Sequence, residues 1–475
     1  MNNKITSYFQ DKRENKPKSK KVYMSFVLLE DGKLAEEITN PDPLFAVYDP
    51  ATEIIEVTPT VQINGNYIYP LNGDLVTKKV VMFPEKAEDY ESLETLRQEV
   101  ATFIHKYVDI HPFYEELASY YILLTWLFDK NTVITYLGIY GEYGSGKTRA
   151  AQIIGSLCYK PAPVSGALTC APIYRLLEQA RGTLIINEFD FDNSDMGVEL
   201  IKILNNGYEK GMHVLRVEGK TGKVEAFDAF SPKIFTYRKK KKDQAFESRL
   251  ITIPMEETKR DDIAIILPLE YEMEALSIRN KLLMFRFRNF FKDIKPDLSI
   301  FKGIERRLRQ TLYPLLTVVD DQAFINTLGK FIQDLQQQQQ TDRGMSWVAD
   351  YLASFIELTK TGDEITVKAL ADQYNLGKEG KEIVSTKRAG HVVRDDFKLK
   401  TERLTSGEHK GQYGIKIDAE KVKALCLHYG IEIPEGSSLC SPSSPQDQDQ
   451  SEDSEHSEDT QELFSLDTGI EKEDN

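Results

Sequence analysis

The stretch GEYGSGKT at Gly141 to Thr148 constrains this chain more than any other feature. Phosphates need many hydrogen-bond donors at short range, so a loop whose backbone amides turn inward ahead of a helix must be glycine wherever a side chain would block approach. Gly141, Gly144 and Gly146 meet that need, with Ser145 between them. Lys147 is then spaced to reach the β- and γ-phosphates of ATP, and the Thr148 hydroxyl to bind Mg²⁺. The preceding TYLGIYG reads as a buried strand and ARGTLIINEFD as a second. Together they predict an α/β fold around a parallel sheet. The second strand ends Ile185, Ile186, Asn187, Glu188. Glu188 is placed to polarise an attacking water and to join the metal shell, whereas Asn187 puts a neutral amide where a second carboxylate would help hold the metal. Asp190 is either a substitute for that carboxylate or a turn residue.

At 475 residues the chain has room for roughly three domains of about 150 residues. Its 41% hydrophobic and 28% charged residues are those of a soluble globular protein. No apolar run approaches the roughly 18 residues of a membrane span, and the start MNNKITSYFQDKRENKPKSKK has no apolar core of signal-peptide length. Cys158, Cys170, Cys426 and Cys440 lie far apart without CxxC pairing, which argues against a disulfide framework or a zinc finger. The net charge of −15 looks hostile to a nucleic-acid partner until it is located. Residues 441–475 hold 12 acidic side chains and one lysine, so −11 resides there and only −4 is spread over the remainder. Basic clusters in the body are therefore able to meet phosphate.

Composition and periodicity divide the chain. Residues 1–21 form a polar basic arm unable to fold alone. Short alternating runs between Asp-Gly, Asn-Gly and Pro signals predict a β-rich N-terminal domain over 22–90. A helical connector follows over 91–136, with Leu93, Leu96, Val100, Phe103, Ile104 and Tyr107 on one stripe. The ATPase core is expected over 137–254 and a helical lid region over 255–335. The glutamines at 336–340 mark a linker, a second small domain occupies 346–434, and 435–475 is an acidic disordered tail.

With VSGALTCAPIYRLLEQARGTLIINEFD and AFESRLITIPM beside the glycine loop, the chain resembles AAA+ P-loop ATPases of the superfamily III helicase and primase-associated kind. These are common on viral and mobile elements and distantly like the minichromosome maintenance helicases; the similarity covers Leu137 to Pro254. The resemblance implies a ring, usually a hexamer, with ATP held between neighbours. It makes Arg249 of ESRL the arginine finger offered to a neighbour's γ-phosphate. The plain alternative is a surface ion pair with Glu247. The resemblance also implies a sensor residue in KIFTYRKK, Thr236 or Arg238, touching the attacking water or the γ-phosphate, where family members often carry Asn; the plain alternative is that Thr236 merely ends a strand.

HVLRVEGKTGKVEAFDAF alternates and turns at Gly219 to Gly222, which predicts a β-hairpin with Lys220 and Lys223 near its tip. In related helicases such a hairpin projects into the ring channel and grips the phosphate backbone. The alternative is a solvated turn. The basic run Arg238 to Lys242 suits a phosphate or a solvated loop equally. ITVKALADQYNLG, KRAGHVVRDDF and the strand pair FKLKTERL and GQYGIKI suggest a winged-helix domain. Lys387, Arg388, His391 and Arg394 line its second helix and Lys410 its wing, placed for duplex DNA or for protein docking.

At the N-terminus, NNKITSYF resembles the sliding-clamp-binding peptide of archaea and eukaryotes, with Ile5, Tyr8 and Phe9 at the matching spacing and Asn2 in place of the usual Gln. These features lead to an expected ATP-dependent DNA helicase or translocase in replication or repair, with DNA, the sliding clamp and further copies of itself as partners. The alternative is an ATP-switched loader or scaffold that recruits replication proteins to the clamp with weak hydrolysis. A cytoplasmic, nucleoid-associated location in an archaeal or viral context accompanies either reading.

Overall fold

The computed structural model describes residues 21–165, 170–189, 195–217, 222–238, 243–344, 346–360, 364–379 and 383–432. The alternating N-terminal runs become seven strands: β1 (Val22–Tyr23), β2 (Phe26–Leu28), β3 (Leu34–Thr39), β4 (Pro43–Tyr48), β5 (Ile55–Thr58), β6 (Val61–Ile63) and β7 (Asn66–Tyr69). Strands β2 to β5 pair in sequence order as an antiparallel sheet, and β1, β7 and β6 form a second. Asn64 and Gly65, with φ of 47° and 74°, supply the two left-handed residues that a tight β6–β7 hairpin requires.

After a short α1 (Asp74–Thr77), helices α2 (Leu93–Tyr107) and α3 (Pro112–Trp126) begin at side-chain caps. The Ser92 hydroxyl accepts from the Thr95 amide, and Pro112 sits where a missing N–H costs nothing. The stripe on α2 buries Leu96, Val100, Phe103, Ile104 and Tyr107 as its spacing predicts.

The central layer is a parallel sheet. In chain order its elements are β8 (Tyr136–Tyr140), α4 (Lys147–Leu157), β9 (Ala162–Val164), α5 (Cys170–Ala180) and β10 (Leu184–Ile186). There follow α6 (Asp195–Asn206), β11 (His213–Val217), β12 (Val224–Asp228), β13 (Lys233–Tyr237), α7 (Gln244–Glu247) and β14 (Leu250–Pro254). The sheet order is β14-β8-β13-β10-β9, every pair parallel, while β11 and β12 form a separate antiparallel hairpin. The glycine-loop strand β8 is thus flanked by the last two strands, and β13 lies between it and the acidic strand β10. This is a switch point, where loops at the carboxyl ends open a crevice.

Helices α8 (Glu270–Phe290), α9 (Arg306–Leu316) and the part of α10 (Gln322–Gly344) up to Gln336 complete the first of two compact units, which divide between Gln336 and Gln337. One hydrophobic core runs from Leu34 to Ile332, so the sequence boundaries near 90, 136 and 254 are not breaks in packing. The glutamine run expected to mark a linker does lie at this division, and it is helical, inside α10, as befits a residue of good helix propensity. In the second unit, α11 (Trp347–Thr359), α12 (Val367–Asn375) and α13 (Thr386–His391), the last extended by a π-helical turn at Val392–Asp396, precede an antiparallel pair β15 (Lys400–Arg403) and β16 (Tyr413–Lys416) and a final α14 (Ala419–Tyr429). An isolated bridge from Thr366 to Gly414 adds a third edge to the pair.

Two buried polar features fix the first unit. Glu36 on β3 pairs with Lys160 at 2.8 Å and with the Arg286 Nε at 2.6 Å, and Arg286 also holds Asp129 at 2.7 Å. These four side chains tie the N-terminal sheet to the loop before β9, to the end of α3 and to α8. Elsewhere the buried Lys233 ammonium donates to the carbonyls of Gly207, Ala229 and Ser231 at 3.2, 2.9 and 2.8 Å, and burial holds its pKa well below the ordinary value. Those carbonyls stand just after α6 and just after β12, at the two feet of the hairpin.

Glu37, next to Glu36, is a separate case. Its Oε2 accepts from the Leu71 amide at 2.9 Å, its Oε1 has no partner, and burial pushes its pKa up to about 8 against the opposing pull of that amide and of Lys160. A carboxyl neutral in the fold but ionised when unfolded stabilises fully below the unfolded pKa near 4.5, and the effect is lost as pH rises through 8. Between those limits denaturation free energies should therefore decline by up to ~1.4 kcal/mol per pH unit more steeply in the natural chain than in Glu37→Gln. Parallel slopes for the two would show that Glu37 is ionised in the fold.

Candidate nucleotide site

The site begins with backbone. A Cβ on Gly141 would lie 2.5 Å from the Met255 carbonyl oxygen and 2.6 Å from Ser145 Oγ, so the loop closes only with glycine there. Gly144 and Gly146 take φ of 81° and 83°, and Gly146 caps α4 without any side-chain hydrogen bond. The first amides of α4 are left facing the loop, where an anion satisfies them. Ser145 folds inward, its hydroxyl donating to the Glu142 carbonyl at 2.8 Å, while the Lys147 ammonium also donates to that carbonyl.

This loop lines one side of a pocket of about 880 Å³ that also receives Glu188, Thr236 and Arg238 from the ends of β10 and β13. Thr148 lines it as an exposed hydroxyl. Glu188 has φ of 56°, a left-handed conformation that costs a non-glycine residue on the order of 1 kcal/mol. Thr236 holds it there. The buried Thr236 hydroxyl accepts from the Glu188 amide at 2.8 Å and donates to Asn187 Oδ1 at 3.3 Å, and the Phe189 amide donates to the Thr236 carbonyl at 2.8 Å. Asn187 thus spends its oxygen on Thr236 and is not among the pocket-lining residues. Thr236, expected to touch the attacking water or phosphate, has its hydroxyl engaged in positioning Glu188.

The opposite wall was not legible in the sequence. Tyr107 at the end of α2 and Asp109 just after it, with Thr258, Arg260, Ile263 and Ile265 after β14, line the pocket beside the glycine loop. Arg149, directly after Thr148, pins that wall by donating to the carbonyls of Ala264, at 2.6 Å, and Ile265. Asp109 accepts from the Thr258 hydroxyl and the Lys259 amide at 2.9 and 3.1 Å. The adjacency of Arg149 to the motif was the one available signal.

Among the described residues no cluster of three or more His, Cys, Asp or Glu could cage a metal. Mg²⁺ in a triphosphate site takes most of its oxygens from phosphate and water, so a hydroxyl such as that of Thr148 and one carboxylate suffice from the protein. The glycine cradle, the uncapped α4, Lys147 and Glu188 fit such a group.

Arg249 stands apart from this pocket. It immediately precedes β14, whose register runs from Leu250 opposite Tyr136 to Pro254 opposite Tyr140, so it lies at the amino end of the sheet while the glycine loop leaves the carboxyl end. Six residues of extended chain to Met255 on the pocket wall span roughly 20 Å. Its guanidinium donates to the Ala245 carbonyl and stacks on the Tyr208 ring at 5.1 Å, and no ion pair joins it to Glu247 among the described residues. Burial, together with the neighbouring Arg307 charge, lowers its pKa from the ordinary value.

Of the residues expected to meet nucleic acid, Lys223 is exposed at the base of the β11–β12 turn, and Lys220 lies outside the described residues. The same holds for Ile5, Tyr8, Phe9, Asp190 and Lys239 to Lys242. In the second unit Lys387, Arg388, His391 and Arg394 are exposed along α13 and its π-helical extension while Ala389, Val392 and Val393 are buried, so the basic face points outward. Arg388 stacks on Trp347 at 4.8 Å and His391 pairs with Asp395 at 3.3 Å. Lys410 is exposed between β15 and β16.

No helix among the described residues is long and apolar enough to cross a membrane. No family profile matches the chain, and no curated protein matches it. Among solved structures it is similar to the apo NrS-1 C terminal region, at 13% identity over 78% of this chain and 84% of that one, with a TM-score of 0.36. It is also similar to an inhibitor-bound JCV helicase, at 14% identity over 51% of this chain and 66% of that one, with a TM-score of 0.26. Likenesses this distant carry no argument, and the α/β fold with its parallel sheet and the pocket at its carboxyl edge rest on the chain's own geometry.

Proposed function

We propose that the chain binds ATP with Mg²⁺ and works as a ring-forming DNA helicase or translocase in replication or repair. The observation that carries this reading is the convergence of the glycine loop and Glu188 on one pocket, with Arg249 about 20 Å away at the other end of the same sheet. Lys147 exchanges the Glu142 carbonyl for the β- and γ-phosphates, and the amides of the loop and α4 take the remaining oxygens. The Thr148 hydroxyl, with Glu188 nearby, would hold Mg²⁺, which would supply neutralisation of phosphate charge when bound. Glu188, fixed by Thr236, orients water at the γ-phosphate. Arg249 is too far to serve its own nucleotide, which favours a finger presented to a neighbouring copy. The hairpin with Lys220 and Lys223, and the basic face of α13 with Lys387, Arg388 and Arg394, are the DNA contacts.

Asn187 favours one other reading, an ATP-switched loader or scaffold with weak hydrolysis that recruits replication proteins to a sliding clamp through Ile5, Tyr8 and Phe9. With ATP, magnesium and a forked DNA, the helicase reading expects DNA-stimulated hydrolysis and strand displacement, both abolished in Lys147→Ala. Tight ATP binding without turnover or displacement would favour the loader. A chain with no affinity for ATP would remove both readings.

A further inference from the structure

Three tyrosines share the outer face of the small N-terminal sheet β1-β7-β6. Ile68 on β7 and its partner Val61 on β6 turn inward and join a core with Val27 and Phe45. Side chains alternate along a strand, so Tyr67 and Tyr69 stand on the other face, beside Tyr23, which pairs with Tyr69 across β1. The Tyr23 and Tyr69 rings are 5.9 Å apart and inclined at 45°, and the Cα atoms of Tyr67 and Tyr69 are roughly 7 Å apart along the strand. Tyr67 is 57% exposed and Tyr23 38%. Among the described residues none of the three phenol hydroxyls has a hydrogen-bond partner. Lys21, two positions before Tyr23, places its ammonium over the Tyr69 ring, 4.9 Å from the centroid, and among the described residues no carboxylate lies within ion-pair distance of it. The sequence leading into Lys21 holds five Lys or Arg and one acidic residue between 12 and 20.

We infer that Lys21, Tyr23, Tyr67 and Tyr69 form a stacking platform for the unpaired bases of single-stranded DNA, with Lys21 set against its phosphates. Grouped exposed tyrosines mark a contact surface, and the cationic approach to it selects an anionic partner. An acidic peptide would satisfy the lysine and leave the rings without planar partners. In a duplex each base offers its faces to its neighbours in the stack, so rings that stand out from a sheet meet bases on an unpaired strand. Strand β7 is paired on both sides, by β1 and by β6, so the backbone presents the rings ready placed, and a tyrosine has few rotamers to lose on stacking. This surface lies on a different sheet from the β11–β12 hairpin and gives the N-terminal strands a role of their own. The choice of DNA over RNA rests on the helicase reading above.

The test is fluorescence anisotropy of a labelled oligo-dT with the full chain and no ATP. A chain carrying Tyr67→Leu with Tyr69→Leu should bind at least about tenfold more weakly than the natural chain, because each base stack on an aromatic ring contributes several-fold to affinity. Tyr67→Phe with Tyr69→Phe should bind within about twofold of the natural chain, since stacking needs the ring and not the hydroxyl. Lys21→Ala should lower the slope of log affinity against log salt by about 0.7. Duplex affinity and the urea midpoint should stay unchanged in the leucine variant. Natural oligo-dT affinity in the leucine variant would overturn the inference, as would an equal loss in the phenylalanine variant or an equal loss for duplex. Tighter binding of oligo-U than of oligo-dT would overturn the assignment to DNA, and poly-glutamate competing as well as oligo-dT at matched charge would assign the surface to an acidic protein. Every measurement is made without ATP, so a failure here leaves the ATPase reading standing, and a chain that binds no ATP defeats that reading without altering these outcomes.

Discussion

Glu188→Gln is expected to lower ATP turnover by two to four orders of magnitude while leaving nucleotide affinity within a few-fold of the natural chain. The carboxylate is held where no ordinary strand residue would sit, in a left-handed conformation secured by a hydrogen bond from its own amide to the buried Thr236 hydroxyl. Glutamine preserves shape and backbone geometry and removes only the charge and the basicity. The measurement is single-turnover hydrolysis beside equilibrium titration with a fluorescent nucleotide. Equal loss of affinity and turnover would mean that Glu188 serves the metal more than the water. Unchanged turnover would remove it from the chemistry.

Arg286→Met should cost about 3–5 kcal/mol of folding stability, the largest effect expected of any single change away from the pocket. Arg286 is fully buried, and its loss leaves Glu36 and Asp129 as carboxylates that neither water nor a matching cation can reach, apart from the Lys160 already bound to Glu36. Lys281→Met supplies the contrast. Its pair with Glu99 lies partly in solvent, with side chains 23% and 35% exposed, and such pairs contribute less than about 1 kcal/mol. Urea denaturation of both variants reads the difference directly; similar losses would show that the Glu36 cluster is hydrated.

What the sequence made legible was what is encoded locally. The glycine loop is legible because phosphate chemistry demands glycine at fixed spacing, and β8 and β10 because their apolar runs are continuous and end beside it. The β11–β12 hairpin follows from alternation and turn residues, and its register pairs His213 with Asp228 and Val217 with Val224. Contacts between distant segments left no local mark. Glu36 and Arg286 meet across 250 residues, and nothing in either neighbourhood announces the other. The wall formed by Thr258, Arg260 and Ile265 lies in an irregular stretch whose course is set by Arg149 rather than by periodicity. The glutamine run marked the division correctly, since the two compact units part between Gln336 and Gln337, but composition did not show that the segment is helical, as residues of good helix propensity allow.

Lys233 gives the sheet a mechanical property. A single peg, sunk in apolar surroundings at the start of β13, clasps the segments that flank the hairpin on either side, and three positions along the same strand Thr236 holds the backbone amide of Glu188. A tug on the hairpin must either travel down β13 or strip hydrogen bonds from a desolvated ammonium, and stripping costs about 1–3 kcal/mol for each buried group left bare. The flanks of the hairpin and the Glu188 backbone are thus moored to one buried strand rather than to separate parts of the sheet.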